Sequence, residues 1–599
     1  MYEIGAGVGR AVRGRPWERQ PTDPLHRPLK IFTVDPTLST IEGAVALVDV
    51  PWEPLAPGPR GRVFEVESGD GESGEVYRRA DLENPAVLIR NGLDPSASDP
   101  RFHGQMVYAV ASRVYAAFRA ALGRDLAWGF DRETSDRDEP VRLRLRPFAF
   151  QGENAYYHRD AGEIRFGYFN AAATATGRNL PRARVFTCLS HDVVAHESTH
   201  ALLDGLRAEF AVPSGPDVFA FHEALADLVA IFTRFSYETI VQSAIRRARG
   251  HLERAAMLTD IARQFGNATG KEKALRSAID NDRLLAYDPS LEPHALGSVL
   301  VAAVFEAFTT VFSRKTAAYV RLATNGTGVV PPGEIPVDLQ TLLARKASQL
   351  AEQFLSICIR AIDYCPPVGI EFGEFLRAMI TADHDLVPAD PWGYREAWVD
   401  AFRRRGIYPR HVAALTEDAL LWRPPSRPIP TVDGLSFARL QFDGDPGRPA
   451  SAAELVRQAQ ALGALVTKPL HLDAFGLASP ADPRLGGDGL DLPCVQSVRS
   501  SRRIGPDGQI VFDLVGEVTQ RRRVAAEHGH PAFDFYGGST VIIGPRGAIR
   551  YVICKSVLNA DRLEEQRRFI GSEEAAAFWI QREGRSTPVT EPFRLLHAR

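Results

Sequence analysis

The stretch best suited to chemistry is His196-Glu197-Ser198-Thr199-His200. Histidines at i and i+4 share one helix face, so both imidazoles can reach one metal ion. The intervening glutamate sits where it can take a proton from water on that metal. Val193-Val194-Ala195 precede the motif and Ala201-Leu202-Leu203 follow it. These flanks predict a buried helix, and two histidines with a glutamate in a buried helix are costly unless a metal compensates them. Coincidence on an amphipathic helix is the competing account, and the apolar flanks weigh against it.

A catalytic zinc needs a third protein ligand. The candidate is Glu223, in Phe221-His222-Glu223-Ala224-Leu225-Ala226-Asp227, beyond a Pro213-Ser214-Gly215-Pro216 turn. A helix, a turn and a second helix can bring Glu223 against His196 and His200. Asp227 lies one turn further on the same face, where a carboxylate can accept an imidazole N–H and fix a ligand's tautomer. The alternative, a solvated acidic face, fits poorly with the Ala, Leu and Val around both residues.

The elements that must position these groups can be read from periodicity. A helix is expected over 190–205, with Ser190 as N-cap, Asp192 in the first turn and Gly205 as the stop. The second covers about 217–235. Further helical patterns run over 105–122, 297–319, 337–364 and 393–405. Residues 141–150 alternate Arg with apolar residues, as a half-buried strand does, and 154–169 read as a hairpin turning near 160–162. The first thirty residues, rich in Gly, Arg and Pro, read as irregular and lead into strands at 31–34 and 44–50. The Pro-rich segment 422–431 reads as a linker. Beyond it, one helix (452–465) and several strands suggest a separate mixed α/β domain with little contact across the boundary.

Composition sets the frame. Of 599 residues, 45% are hydrophobic and 24% charged, which is ordinary for a folded chain. Lys+Arg at 71 against Asp+Glu at 74 gives a net charge of −3, which argues against nucleic-acid binding by bulk charge. Five cysteines without a CxxC pair argue against a disulfide framework and a Cys-based zinc finger. The start of the chain has no apolar signal core, and the apolar run 299–305 is too short to span a membrane. The expectation is a cytoplasmic protein that neither binds nucleic acid nor enters a membrane, with signal-independent export left open.

Taken together, Asp192 to Leu206 and His222 to Phe232 closely resemble the thermolysin family of zinc metallopeptidases, gluzincins with HExxH and a downstream ExxxD. The resemblance extends over residues 1–409. The 152–168 stretch is similar to the family's substrate-binding edge strand, which makes Asn154 and Ala155 main-chain-binding groups. Leu275 to Asp280 resembles the segment carrying the substrate-carbonyl arginine, here Arg276. Residues 292–308 resemble the segment carrying the transition-state histidine, here His294. The implied fold is α+β with two lobes: a β-rich lobe over 1–210 ending in the HExxH helix, and a mainly helical lobe over 211–409. A linker at 410–431 and an accessory α/β domain at 432–599, a possible partner-docking module, follow. The implied activity is zinc-dependent endopeptidase, with His196, His200 and Glu223 as ligands, Glu197 as general base for a metal-activated water and Asp227 behind the ligands. A preference for an apolar residue on the amine side of the cut bond goes with it. The alternative is a zinc-containing peptide-binding scaffold with little turnover.

Some positions depart from the family pattern. No tyrosine occupies the stretch between the HExxH helix and Glu223, so the oxyanion tyrosine is missing; Tyr287 is a candidate replacement. His222 stands where the family has Asn. The family's structural calcium pair uses an acid matching Asp192, but its partner acid is Arg234 here. The expectation is a buried Asp192–Arg234 ion pair in place of calcium. Weaker signals carry little: Gly5 to Gly9 match no dinucleotide fingerprint, 266–271 has the wrong spacing for a P-loop, and Arg403–Arg405 and Arg521–Arg523 read as solvated faces. Cys494 reads as a core or loop cysteine rather than a zinc thiolate.

Overall fold

The computed structural model describes the chain except residues 39–41, 131–138, 175–179, 251–259, 262–275, 278–283, 331–332, 450, 528 and 598–599. The 266–271 segment therefore lies outside the described residues. The fold is α+β, with several separate sheets and a large helical part.

Alternation does its work in the first half. Leu143 and Leu145 of strand Leu143–Gln151 face the core, while Arg144 and Arg146 turn outward to Glu67 and Glu163. The strand belongs to a five-stranded sheet, beside Phe64–Val66 on one side and Glu163–Asn170 on the other. Ala155–His158 forms the edge of this sheet and pairs antiparallel with Glu163–Asn170. The hairpin turn falls where expected. Helix Pro100–Leu122 packs against this sheet and the HExxH helix, and it ends at Gly123 in the left-handed region at φ 64°. A Cβ there would lie 1.7 Å from the Arg502 carbonyl oxygen, so only glycine allows the second half of the chain to approach so closely.

The helical part stacks Pro216–Phe235, Pro293–Ala323, Val337–Ala361, Phe372–Leu386 and Tyr394–Arg404. Pro293–Ala323 is long and apolar enough to cross a membrane, but 72% of its apolar window is buried inside the fold, where it packs on Pro216–Phe235. Across these helices Phe308 meets Phe232, Phe235 and Phe354 edge to face.

The region beyond the Pro-rich segment has its own sheet and core. Strands Cys494–Ile504, Ile510–Val524, Phe533–Ile543 and Ile549–Lys555 form an antiparallel meander covered by helix Ala452–Val466. Two expectations are corrected here. The start of the chain is ordered: Glu3–Ile4 adds a parallel edge strand to this sheet, and Gly7–Arg13 is a helix whose Val8 enters the same core. Burial of Val8 overrides the poor helix propensity of the glycines. Nor is contact across the boundary sparse. Arg207 pairs with Glu517 at 3.3 Å with both side chains buried, Arg499 donates to the Leu206 carbonyl at 2.9 Å, and Lys555 pairs with Glu374 at 2.9 Å. The Pro-rich segment is itself anchored at one end. The Trp422 indole donates to the Tyr364 carbonyl at 2.9 Å beneath the Arg377 guanidinium, 3.8 Å from the ring. Proline removes backbone donors but does not stop flanking side chains from docking. The two arginine runs are also only partly solvated, because Arg405 and Arg522 are buried against Glu306 and Asp488.

Candidate metal centre

The HExxH motif lies on helix His191–Leu206, and Glu223 on helix Pro216–Phe235. Ser190 adopts the N-cap backbone conformation without a capping bond from its hydroxyl. Gly205 is not the stop but lies inside the helix. A Cβ there would come within 2.1 Å of the Ala127 carbonyl oxygen, so glycine lets the helix lie against backbone. The polar neighbours inside the motif are satisfied locally: Ser198 and Thr199 donate to the carbonyls of Val194 and Ala195.

The two helices bring His196, His200 and Glu223 together as read from the sequence. His196 Nε2 is 3.0 Å from His200 Nε2 and 3.2 Å from Glu223 Oε2, and His200 Nε2 is 3.4 Å from Glu223 Oε1. All three residues are buried. Asp227 Oδ1 accepts from His196 Nδ1 at 2.8 Å, which turns His196 Nε2 into the cluster. Burial opposes a charge on His196, yet the carboxylates of Glu223 and Asp227 outweigh it and lift its pKa to about 9. Burial likewise opposes charge on Glu223, but His294, His597 and His196 hold it well below the usual carboxylate range. Burial drives His200 well down. Buried nitrogen and carboxylate donors that converge in this way could hold a divalent metal ion.

Glu197 lies outside the ligand group. Its Oε2 accepts the Tyr157 backbone N–H at 3.1 Å, tying the HExxH helix to the edge strand. The strand is tied a second time, because the Tyr157 hydroxyl donates to Asp204 at 2.9 Å. His294 Nε2 is 3.0 Å from Glu223 Oε2, at the start of helix Pro293–Ala323. Glu292 caps that helix and contacts His294 Nδ1 at 3.2 Å. Ala155 opens the edge strand, with its carbonyl 2.9 Å from His597 Nδ1, and Asn154 immediately precedes it. Arg276 falls in a two-residue strand pairing with Asp260–Ile261, and its side chain lies outside what is described.

Arg234 forms a buried ion pair with Asp192. Tyr287 goes elsewhere: its hydroxyl donates to Asp217 at 2.7 Å, beside a cavity of about 330 Å³ that also borders Phe372 and Arg410. The structure thus engages Tyr287 at Asp217 and does not place it in the metal group. His222 packs near His200, with ring centroids 5.6 Å apart, and the buried Nδ1 of His200 has no hydrogen-bond partner. Cys494 lies on the second-half sheet, outside the ligand group.

Sequence reasoning missed one member. His597 joins His196, His200 and Glu223 in a set whose ligand atoms all lie within 4.8 Å of one another. Its Nε2 is 3.3 Å from Glu223 Oε1, across 374 positions of chain. No periodicity or spacing links residues so far apart. Glu292 was more accessible, since Glu-Pro-His before an apolar run is a helix-start pattern.

The chain matches no protein-family model and no curated protein.

Proposed function

We propose that the chain is a zinc-dependent endopeptidase with the two-lobed, thermolysin-like arrangement. It cleaves proteins or peptides in the cytoplasm, and region 432–599 serves as an accessory unit. The observation that carries this reading is the convergence of His196, His200 and Glu223 beside a glutamate outside the ligand set. A zinc ion there supplies Lewis-acid polarisation and acidifies water. Glu197, with Oε2 held by the Tyr157 N–H, takes a proton from the attacking water and hands it to the leaving amine. His294 donates to the oxygen on which negative charge develops. Edge strand Ala155–His158 offers its backbone to an extended substrate, with Asn154 adding a side-chain donor. Asp227 holds the His196 ring in the ligating tautomer.

The test is a peptide-library digest with and without chelator, using wild type, Glu197→Gln and Phe593→Ala, which unblocks the pocket beside His200. Cleavage that chelator abolishes, zinc restores and Glu197→Gln lacks is the expected result. One zinc per chain with no cleavage by wild type or Phe593→Ala would favour the scaffold reading instead. The scaffold reading has one observation of its own: residues 591–597 occupy the cleft.

A further inference from the structure

The groups assigned to substrate are engaged by the chain itself. Helical turn Pro592–Leu596 lies on edge strand Ala155–His158. Asn154 Nδ2 donates to the Arg594 carbonyl at 3.5 Å, and Glu591 pairs with His158 at 3.0 Å. The buried Phe593 ring sits among Tyr157, His200, Phe219 and His222, with centroids 4.9 Å from His200 and 5.1 Å from His222. Just upstream, the Trp579 indole donates to the Pro213 carbonyl at 3.0 Å, in the turn between the two ligand helices.

We infer that His597 is a fourth protein ligand of the metal, and that residues 591–597 form a latch that closes the site against substrate. This rests on the metal-site reading above. The carrying observation is how the ring is oriented. His597 Nδ1 donates to the Ala155 carbonyl at 2.9 Å, which turns Nε2 inward, 3.3 Å from Glu223 Oε1. His196 is oriented the same way, with Nδ1–H donated to Asp227 and Nε2 turned inward. An outer hydrogen bond that fixes the tautomer is how a protein prepares an imidazole to ligate. Catalytic zinc sites keep one position open, whereas sites with four protein ligands are closed. His597 Nδ1 also lies 3.3 Å from Glu197 Oε1, so the ring covers the general base.

The latch is built to sit in the cleft without being cut. An edge strand takes its peptide extended, whereas residues 592–596 are helical and His597 N–H donates back to the Phe593 carbonyl at 3.3 Å. A tethered occupant also acts at an effective concentration of millimolar order, so an ordinary peptide competes poorly with it. Opening therefore requires displacing or removing residues 591–597.

The experiment uses the full chain as wild type, His597→Ala and Phe593→Ala, with folding checked by thermal melts. Zinc affinity is measured by chelator competition, and the cobalt(II)-loaded proteins are titrated with azide while their visible spectra are recorded. The latch predicts that His597→Ala loses at least the ~10–100-fold in zinc affinity that removing a mere outer partner costs. It also predicts that azide changes the spectra of both variants at concentrations that leave wild type unchanged. Peptide cleavage should rise in His597→Ala even as zinc affinity falls, opposite signs that a structural role would not produce. Equal zinc affinity in wild type and His597→Ala, or equal azide response in all three, would overturn the inference. If affinity and spectra shift as stated but no variant cleaves peptide, the latch stands and the peptidase reading fails.

Discussion

Helices His191–Leu206 and Pro216–Phe235 hold two buried acidic sites, each between the same two partners. In one, Asp192 faces Arg234 and the chain supplies its own cation. In the other, Glu223 and Asp227 face His196 and His200, and the chain supplies lone pairs without a permanent positive charge. A buried carboxylate is tolerated only when something compensates it. The first site is compensated by a guanidinium that never deprotonates; the second lifts His196 to about 9 against burial. The difference separates a structural position from a reactive one. A fixed ion pair can do nothing but hold, while under the proposed reading a cluster that could hold a divalent ion would polarise a substrate through it. Replacement of calcium by Arg234, proposed from the family resemblance, suits a compartment where free calcium is scarce.

The comparison breaks most readily at Glu197. Glu197→Gln should keep zinc near one per chain and lose ~10²–10⁴ in cleavage rate, because the residue moves a proton and does not ligate. Metal analysis beside a rate assay checks this, and a zinc-free Glu197→Gln would make the glutamate a ligand. His196→Ala, His200→Ala and Glu223→Ala should each lose the metal. On the self-compensated side, Arg234→Ala strands Asp192 and should cost about 3–5 kcal/mol in a denaturant melt. Micromolar calcium should leave the wild-type melting temperature where it is; a rise would mean that Arg234 does not replace the ion.

The HExxH cluster was legible because its spacing is local, whereas the Asp192–Arg234 pair was reached only through the family resemblance. HExxH fixes two ligands on one helix face, and Glu223 with Asp227 fixes the facing stripe, so pattern alone predicts the meeting. The edge strand was legible from the hairpin. What escaped was long-range. His597 meets Glu223 across most of the chain, and nothing in the stretch around it marks it as a ligand. Gly7–Arg13 escaped because its helix packs on the distant Ala452–Val466 and Cys494–Ile504, and Tyr287 was placed by residue type when Asp217 had already claimed its hydroxyl. Side-chain docking across a proline-rich stretch has no sequence period either, so the firm anchoring of Trp422 could not be anticipated.

Under the proposed reading, a sharper cut through the cluster separates the groups that would act on the transition state from those that would hold the metal. His294 contacts Glu223 yet stays outside the ligand set, and Glu292 steadies its ring. His294→Ala should therefore fold and bind zinc as wild type does. It should lose about 3–4 kcal/mol of transition-state stabilisation, mainly in kcat, since it answers charge that develops late. A variant whose loss lay in KM alone would return His294 to a ground-state role.

The smallest expected effect comes from Asp227, and it tests why the two acidic sites differ. Asp227 lies outside the candidate ligand group but accepts the His196 Nδ1–H at 2.8 Å, and so decides which ring nitrogen faces the cluster. Asp227→Asn preserves the size of the side chain and removes its charge. The amide can still accept through its oxygen, so the ring keeps its orientation while losing the anion that raises its basicity. Zinc affinity should fall ~10–100-fold by chelator competition, within the range for lost outer partners. The melting temperature of the zinc-loaded protein should move little at saturating metal, because the ion still neutralises Glu223. By contrast, Asp192→Asn should lower the melting temperature whatever the metal concentration, since Arg234 faces that carboxylate as a permanent cation. If Asp227→Asn were instead insensitive in zinc affinity and large in stability, the two sites would be of one kind, and the distinction between holding and reacting would fail.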